Sequence, residues 1–239
     1  MRKNILGAAF IAVMCFSSCI FNGETINGNG NLKSEIRNVG NRSNINVLGG
    51  MDVFVDQGAP SVKVEGDENI LQYIETPADN NWLEIKTRDH VNIHSSHPVK
   101  VYVTTPEITA LKVTGSGNLT CNNKFSSNNN LSFSITGSGN ILADVNAPAV
   151  DAGITGSGNM YIKGETRNVD IQVTGSGNYD SPNLKAENAN VKILGSGDAS
   201  LFADVNLKAS IAGSGDIKYR GNAVVKKDVA GSGSVVKVP

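Results

Sequence analysis

The chain has 239 residues, with 21 lysines and arginines against 22 aspartates and glutamates and a formal net charge of −1. That balance, with no basic stripe, argues against nucleic-acid binding. Aromatic residues make up 5% of the chain, which argues against a sugar site built mainly on stacked rings, and the length fits one elongated domain or two fused β subdomains once a leader is removed.

Arg2 and Lys3 precede an apolar run from Ile5 to Phe16, followed by Ser17, Ser18 and Cys19. This layout resembles a bacterial lipoprotein signal, which makes residues 1–18 the signal peptide and leaves Cys19 as the lipidated N-terminus. Phe16 stands where such signals usually carry Leu, so the reading rests on the Ser-Ser-Cys ending. An ordinary secretory signal with an incidental cysteine is the alternative. The apolar run is shorter than the roughly 18 residues of a spanning helix, whereas several acyl chains together give firm anchoring. The expectation is therefore an exported, cell-envelope protein, an outer-membrane lipoprotein whose membrane contact is its N-terminal lipid. Residues 19–34, polar and rich in Gly and Asn between Asn22 and Leu32, are expected to form a flexible tether.

From Glu35 to Pro106 short apolar alternations appear. Ile45, Val47, Met51, Val53 and Val55 form one, then Val62 and Val64, Leu83 and Ile85, and Val99, Val101 and Val103. Each is the pattern of a strand with one buried face. The polar segment Asp67 to Tyr73 predicts a helical turn between strands. Residues 35–106 are thus an N-terminal β region that caps or begins a solenoid, because terminal coils must be atypical to cover an open edge. All three histidines, His90, His94 and His97, fall here. In a strand His90 and His94 face the same way, with His97 in the turn before Pro98. Zn²⁺ on this triplet would need an added oxygen ligand or water, and chance clustering on a polar loop is the plainer account.

Residues 107–239 carry a repeat. Gly-Ser-Gly starts at Gly115, Gly137, Gly156, Gly175, Gly195, Gly213 and Gly231, at intervals of 22, 19, 19, 20, 18 and 18 residues. Two places before each copy stands Val113, Ile135, Ile154, Val173, Ile193, Ile211 or Val229, preceded by alternating apolar residues such as Leu131 and Phe133. After the motif, Leu119, Ile141, Met160, Tyr179, Ala199, Ile217 and Val235 resume the same parity. The fourth motif residue is Asn118, Asn140, Asn159, Asn178, Asp198, Asp216 or Ser234, a turn-favouring column. Each repeat reads as one coil: a strand into the motif, a tight corner, a strand out, then a polar turn. The period is too short for a βαβ unit and nothing has helical periodicity. The fold class is therefore all-β, a parallel β-solenoid with about seven Gly-Ser-Gly coils. The inward glycines either bring backbone close to the opposite wall or supply corner dihedrals that a Cβ forbids. Cys121, inward with Ala143, Ile162 and Leu201, reads as a buried structural thiol rather than a catalytic one. The final Val235-Val236-Lys237-Val238 reads as an uncapped edge strand, through which a homo-oligomer would assemble.

Outward parity gives columns of hydroxyls and amides. Thr114, Thr136, Thr155 and Thr174, then Ser116, Ser138, Ser157 and Ser176, lie beside Asn118, Asn140, Asn159 and Asn178. The plain reading is a solvated face whose hydroxyls bond along the ladder. The same flat lattice can also hydrogen-bond a glycan or a surface protein, and these twelve residues are the candidate binding face. Ice binding uses regular Thr ladders, but this column ends in Leu194, Ala212 and Ala230. Asp151 and Asp170 share an offset in adjacent coils, where stacked carboxylates repel, raise one another's pKa, and can hold a cation. Asp198 and Asp216 make a second such pair. The column runs Ser132, Asp151, Asp170, Asn190, Lys208, Lys226, so the pieces of a polysaccharide lyase (a cation or basic clamp and a Lys base) exist only loosely. No nucleophile elbow, phosphate loop or dinucleotide fingerprint appears, and no cofactor is expected.

The segments Asn46-Val47-Leu48-Gly49-Gly50-Met51-Asp52-Val53, Trp82-Leu83-Glu84-Ile85 and Val99-Lys100-Val101-Tyr102-Val103-Thr104-Thr105-Pro106, in that order before the Gly-Ser-Gly ladder, resemble the putative auto-transporter adhesin, head GIN domain family over about residues 36 to 235. The resemblance implies a right-handed parallel β-helix-like fold and a cell-envelope location. The family name's "adhesin" rests on fold and carries little functional weight by itself. Nothing after residue 234 could form a translocator barrel. The leading expectation is a lipid-anchored, non-enzymatic β-solenoid that binds a glycan or protein partner. A lyase or hydrolase on the same scaffold is the alternative, and a purely structural envelope protein assembling through its open edge is a third.

Overall fold

The computed structural model describes residues 23–239; the expected signal peptide and the expected lipidation at Cys19 lie outside the described residues. Coils stack in parallel register, Gly115 on Gly49, Gly137 on Gly115, Gly156 on Gly137, and so on to Gly231. The result is a β-solenoid of about six turns, since the seven Gly-Ser-Gly corners bound six complete coils. The column before the corner (Val113, Ile135, Ile154, Val173, Ile193, Ile211) is at most 1% exposed. Each such side chain contributes roughly 1.5–3 kcal/mol by leaving water, so the repeated Val or Ile locks the entering strand onto one continuous core.

The corner glycines answer the question that parity left open. The first of each motif has φ between +113° and +142°, a region that costs any residue with a Cβ. The close approach is to the coil beneath rather than to the opposite wall. A Cβ on Gly156 would sit 2.4 Å from the Gly137 carbonyl oxygen, and one on Gly158 would sit 2.4 Å from that of Gly139. The ladder also continues through the corner, with Ser157 N donating to Gly137 O at 2.9 Å and Ser176 N to Gly156 O at 2.8 Å.

The far side of the coil departs from the expected polar turn. Asn140–Gly156 and Asn159–Gly175 are unbroken 17-residue strands, so two central coils have no turn there. Buried residues continue through Val145, Ala147 and Val150, with the inward parity switching at Pro148 and Ala149, and pairing on both sides of that step keeps both segments in the ladder. Turns do occur in the coils whose lengths differ, at 127–130, 181–183 and 203–205.

The N-terminal region both begins the solenoid and caps it. Asn44–Gly49 and Asp52–Gln57 pair in parallel with the first repeat coil, so Gly49-Gly50-Met51 is an eighth corner. Beyond it, Lys100–Thr105 lies parallel to Asp52–Gln57 and antiparallel to Ser61–Asp67, which in turn pairs antiparallel with Leu32–Arg37. On the other side Trp82–Thr87 extends Asn44–Gly49, and Ala78–Asp79 folds back on it. The predicted helical turn is the helix Glu68–Leu71, which buries Ile70 and Leu71 over the end of the core. Arg37 pins it by donating to the carbonyls of Leu71 (2.8 Å) and Ile74. Two strands fall where a tether was expected: Glu24–Asn27 pairs with Val91–His94, and Leu32–Arg37 with Ser61–Asp67. Their polar composition hides this, because the pairing is made by backbone groups. Among the described residues no helix is long and apolar enough to cross a membrane.

Candidate functional site

The outward columns emerge from the register as continuous rows. Thr114, Thr136, Thr155 and Thr174 stack on successive rungs, with Leu48 before them and Leu194 after. Thr136 and Thr155 are exposed, whereas Thr114 and Thr174 are half-buried, and the Thr114 hydroxyl is buried without a partner among the described residues. Ser116, Ser138, Ser157 and Ser176 are all exposed at the corner tips, so among the described residues the hydroxyl row faces solvent.

The asparagines have a second duty. Asn118 Nδ2 donates to Asp52 Oδ1 at 2.8 Å, Asn140 to Asn118 at 2.8 Å, Asn159 to Asn140 at 3.0 Å, and Asn178 to Asn159 at 3.0 Å. Each amide donates down and accepts from above, a ladder in which every bond contributes about 1 kcal/mol net. Where the column changes to acids, the donor changes too. Asp198 N donates to Asn178 Oδ1 at 3.2 Å, Asp216 N to Asp198 Oδ1 at 2.8 Å, and Ser234 N and Oγ to Asp216 Oδ1, both at 2.8 Å. Asp198 and Asp216 therefore hold the backbone of the next rung instead of confronting each other. Hydrogen bonds from the Ser234 hydroxyl and then its amide lower the Asp216 pKa. Asp52, the base of this ladder, was not singled out from the sequence. The signal was there, because Gly49-Gly50-Met51-Asp52 has the offset of Gly115-Ser116-Gly117-Asn118. A shorter ladder runs at the far end of the coil, Asn206 to Asn188 at 2.8 Å and Asn188 to Asn168 at 3.1 Å.

Asp151 and Asp170 are register partners in the predicted column. Asn190 Nδ2 donates to Asp170 Oδ2 at 2.6 Å, and Lys208 follows one rung beyond Asn190. Among the described residues no three His, Cys, Asp or Glu side chains converge as metal ligands. The histidines are not brought together. His90 lies in a turn with φ of +62° rather than in the strand with His94, so the two do not share a strand face. His94 Nε2 is 3.1 Å from Asn92 Nδ2, and His97 Nδ1 is 2.7 Å from Asp67 Oδ1. Cys121 is buried, and burial, with the Asp56 charge adding, pushes its thiol up to about 12, which leaves it an unreactive core group.

The family described as putative auto-transporter adhesin, head GIN domain matches residues 42–223. Among solved structures, a putative lipid binding protein from Parabacteroides distasonis is 26% identical with a TM-score of 0.76, over 90% of this chain and 100% of that one. A putative adhesin from the same organism is 25% identical with a TM-score of 0.73 over the same shares. A putative adhesin from Bacteroides fragilis, 19% identical, shares the fold with a TM-score of 0.82 over 89% of this chain and 100% of its own. No curated protein matches this chain.

Proposed function

The chain belongs to the putative auto-transporter adhesin, head GIN domain family, and from that premise we propose that it is a non-enzymatic, adhesin-like binding module of the cell envelope. In this reading it is exported, anchored at the outer membrane through lipid on Cys19, and presents a rigid repetitive face to a glycan or a surface protein. The observation that carries it is the exposed serine row Ser116, Ser138, Ser157 and Ser176, flanked by Thr136 and Thr155 and held in register by the asparagine ladder beneath. Such a row offers hydroxyl donors and acceptors at the strand spacing of about 4.8 Å, preorganised so that little conformational entropy is lost on binding. The family's description and the neighbour named as an adhesin support the role.

The experiment is a glycan-array and surface-protein screen with soluble chain starting at residue 23. Retention of a discrete set of partners is expected, with Cys19→Ala releasing the full-length protein from the membrane fraction. Turnover of an acidic or neutral polysaccharide, abolished by Asp151→Asn and Asp170→Asn, would overturn the non-enzymatic reading.

A further inference from the structure

The repeat lengths are uneven, and the unevenness is local. Register places two extra residues of the 22-residue coil between Thr120 and Lys124, opposite Leu142 and Asp144. The extra residue of the 20-residue coil falls between Asp180 and Leu184, opposite Tyr161 and Gly164. Two 19-residue coils lie between them. The longer coils carry their extra residues at Asn122–Asn123 and at Pro182–Asn183, and these flank a trough of about 460 Å³ over the two shorter coils. It sits on the strands that leave the corner, away from the serine and threonine rows.

The two banks of the trough differ. Leu142 and Tyr161 occupy adjacent rungs on one side and are each 41% exposed. Two large apolar side chains left open on neighbouring rungs make a flat strip that is uncovered among the described residues. Across from them run Lys124, Asp144 and Lys163, also on successive rungs. The Lys163–Asp144 pair is 3.5 Å apart with Lys163 mostly exposed, a surface pair worth little by itself. Those groups can therefore be turned toward a ligand at small cost.

We propose that this trough binds a short oligosaccharide segment. A pyranose has one apolar C–H face and a rim of hydroxyls, which matches an aromatic and aliphatic bank opposite a row of charged donors and acceptors. The sugar's C–H face stacks on the negative π-face of Tyr161 and on Leu142, and its hydroxyls reach Asp144, Lys163 and Lys124. The volume falls in the usual range of small-molecule sites. The flanking segments stand three rungs apart, about 14 Å, so the trough takes a short stretch or a chain end and not an indefinitely extended polymer. The proposal rests on the binding-module reading, but it assigns sugar recognition to a surface other than the hydroxyl face.

The test is an array of neutral and acidic oligosaccharides, followed by calorimetry with the best-retained one, using soluble chain from residue 23. Tyr161→Ala should weaken binding about tenfold or more, while Tyr161→Phe, which keeps the ring, should stay within about twofold. Because Tyr161 is exposed, thermal melting should barely change in either variant. Binding that survives Tyr161→Ala but is lost on Thr136→Val with Thr155→Val would overturn the trough and leave the binding module standing. Retention of a surface protein with no oligosaccharide bound would also overturn the trough. An array and a protein screen that are both blank would overturn both readings.

Discussion

At the residue scale the fold depends on absent atoms. Gly156 has φ of +120°, and a Cβ there would lie 2.4 Å from the Gly137 carbonyl oxygen and 3.1 Å from its carbon. Neither obstacle is the movable end of a side chain; both are backbone in the next rung. Gly156→Ala should therefore cost on the order of 3 kcal/mol, combining left-handed strain with a forced separation of coils, and denaturant unfolding would measure it. An unchanged midpoint would mean that the corner is softer than its geometry implies. The sequence showed that these positions are invariant within the chain and inward in parity, yet it did not show what they approach. Parity fixes a direction relative to one strand, whereas the clash is with the rung below, a partner nineteen or so residues away. The asparagines were obscure for the same reason. An Asn after a tight corner can bond its own backbone or the next coil, and only the register of Asn140 over Asn118 decides for the ladder.

Elements that repeat were legible, as were the apolar cap strands and the helix Glu68–Leu71, but the polar strands of the cap were not. Val113 or Ile135 announces its strand by recurrence, and the order of the coils follows from the stacked glycines. Glu24–Asn27 has no such signal; it is a mostly polar strand that pairs with Val91–His94 through main-chain bonds and a single apolar match, Ile26 with Ile93. The cap around it turns on Asp67, which is fully buried. Its carboxylate takes the His97 ring nitrogen at 2.7 Å and the Ser96 amide at 2.5 Å, and Gly28 packs so closely that a Cβ there would collide with Asp67 Oδ2. The His97 hydrogen bond lowers the Asp67 pKa, against the opposing effect of burial, and the Ser96 and His97 amides add to the lowering. A depressed carboxylate pKa stabilises the folded cap fully above the ordinary aspartate value of about 3.9 and loses that contribution as pH falls through the lower, folded value. The segment 91–97 and the strand Glu24–Asn27 should thus lose hydrogen-exchange protection in acid before the solenoid coils do. In Asp67→Asn protein the same segment should be loosened already at neutral pH and show no acid step. Simultaneous loss across cap and coils in the unmodified chain would refute a separate acid-sensitive unit.

Over the whole molecule the two ends of the solenoid are handled differently, and this bears on whether it assembles through its edge. The first coil is covered by antiparallel strands and the helix Glu68–Leu71, whereas Val224–Gly231 and Val235–Lys237 each pair on one side only. Sequence alternation made the last strands look like an open template. Register shows what that pattern concealed, because two of the inward columns end on charge. Lys227 stands on Ala209, at the top of the column of Phe133, Ala152, Ile171 and Val191, and Lys237 stands on Tyr219. A second copy docking in continuous register would bury both ammonium groups against an apolar core with no partner. Burying an unpaired charge costs several kcal/mol, and inward-pointing lysines are one of the ways natural edges resist pairing. The soluble chain from residue 23 should therefore sediment as a monomer across a wide concentration range. Lys227→Val with Lys237→Val should turn the same edge adhesive and give concentration-dependent oligomers in sedimentation velocity. If the unmodified chain already assembles, and removing residues 235–239 returns it to a monomer, the lysines do not guard this edge, and assembly through it becomes the better account of the molecule.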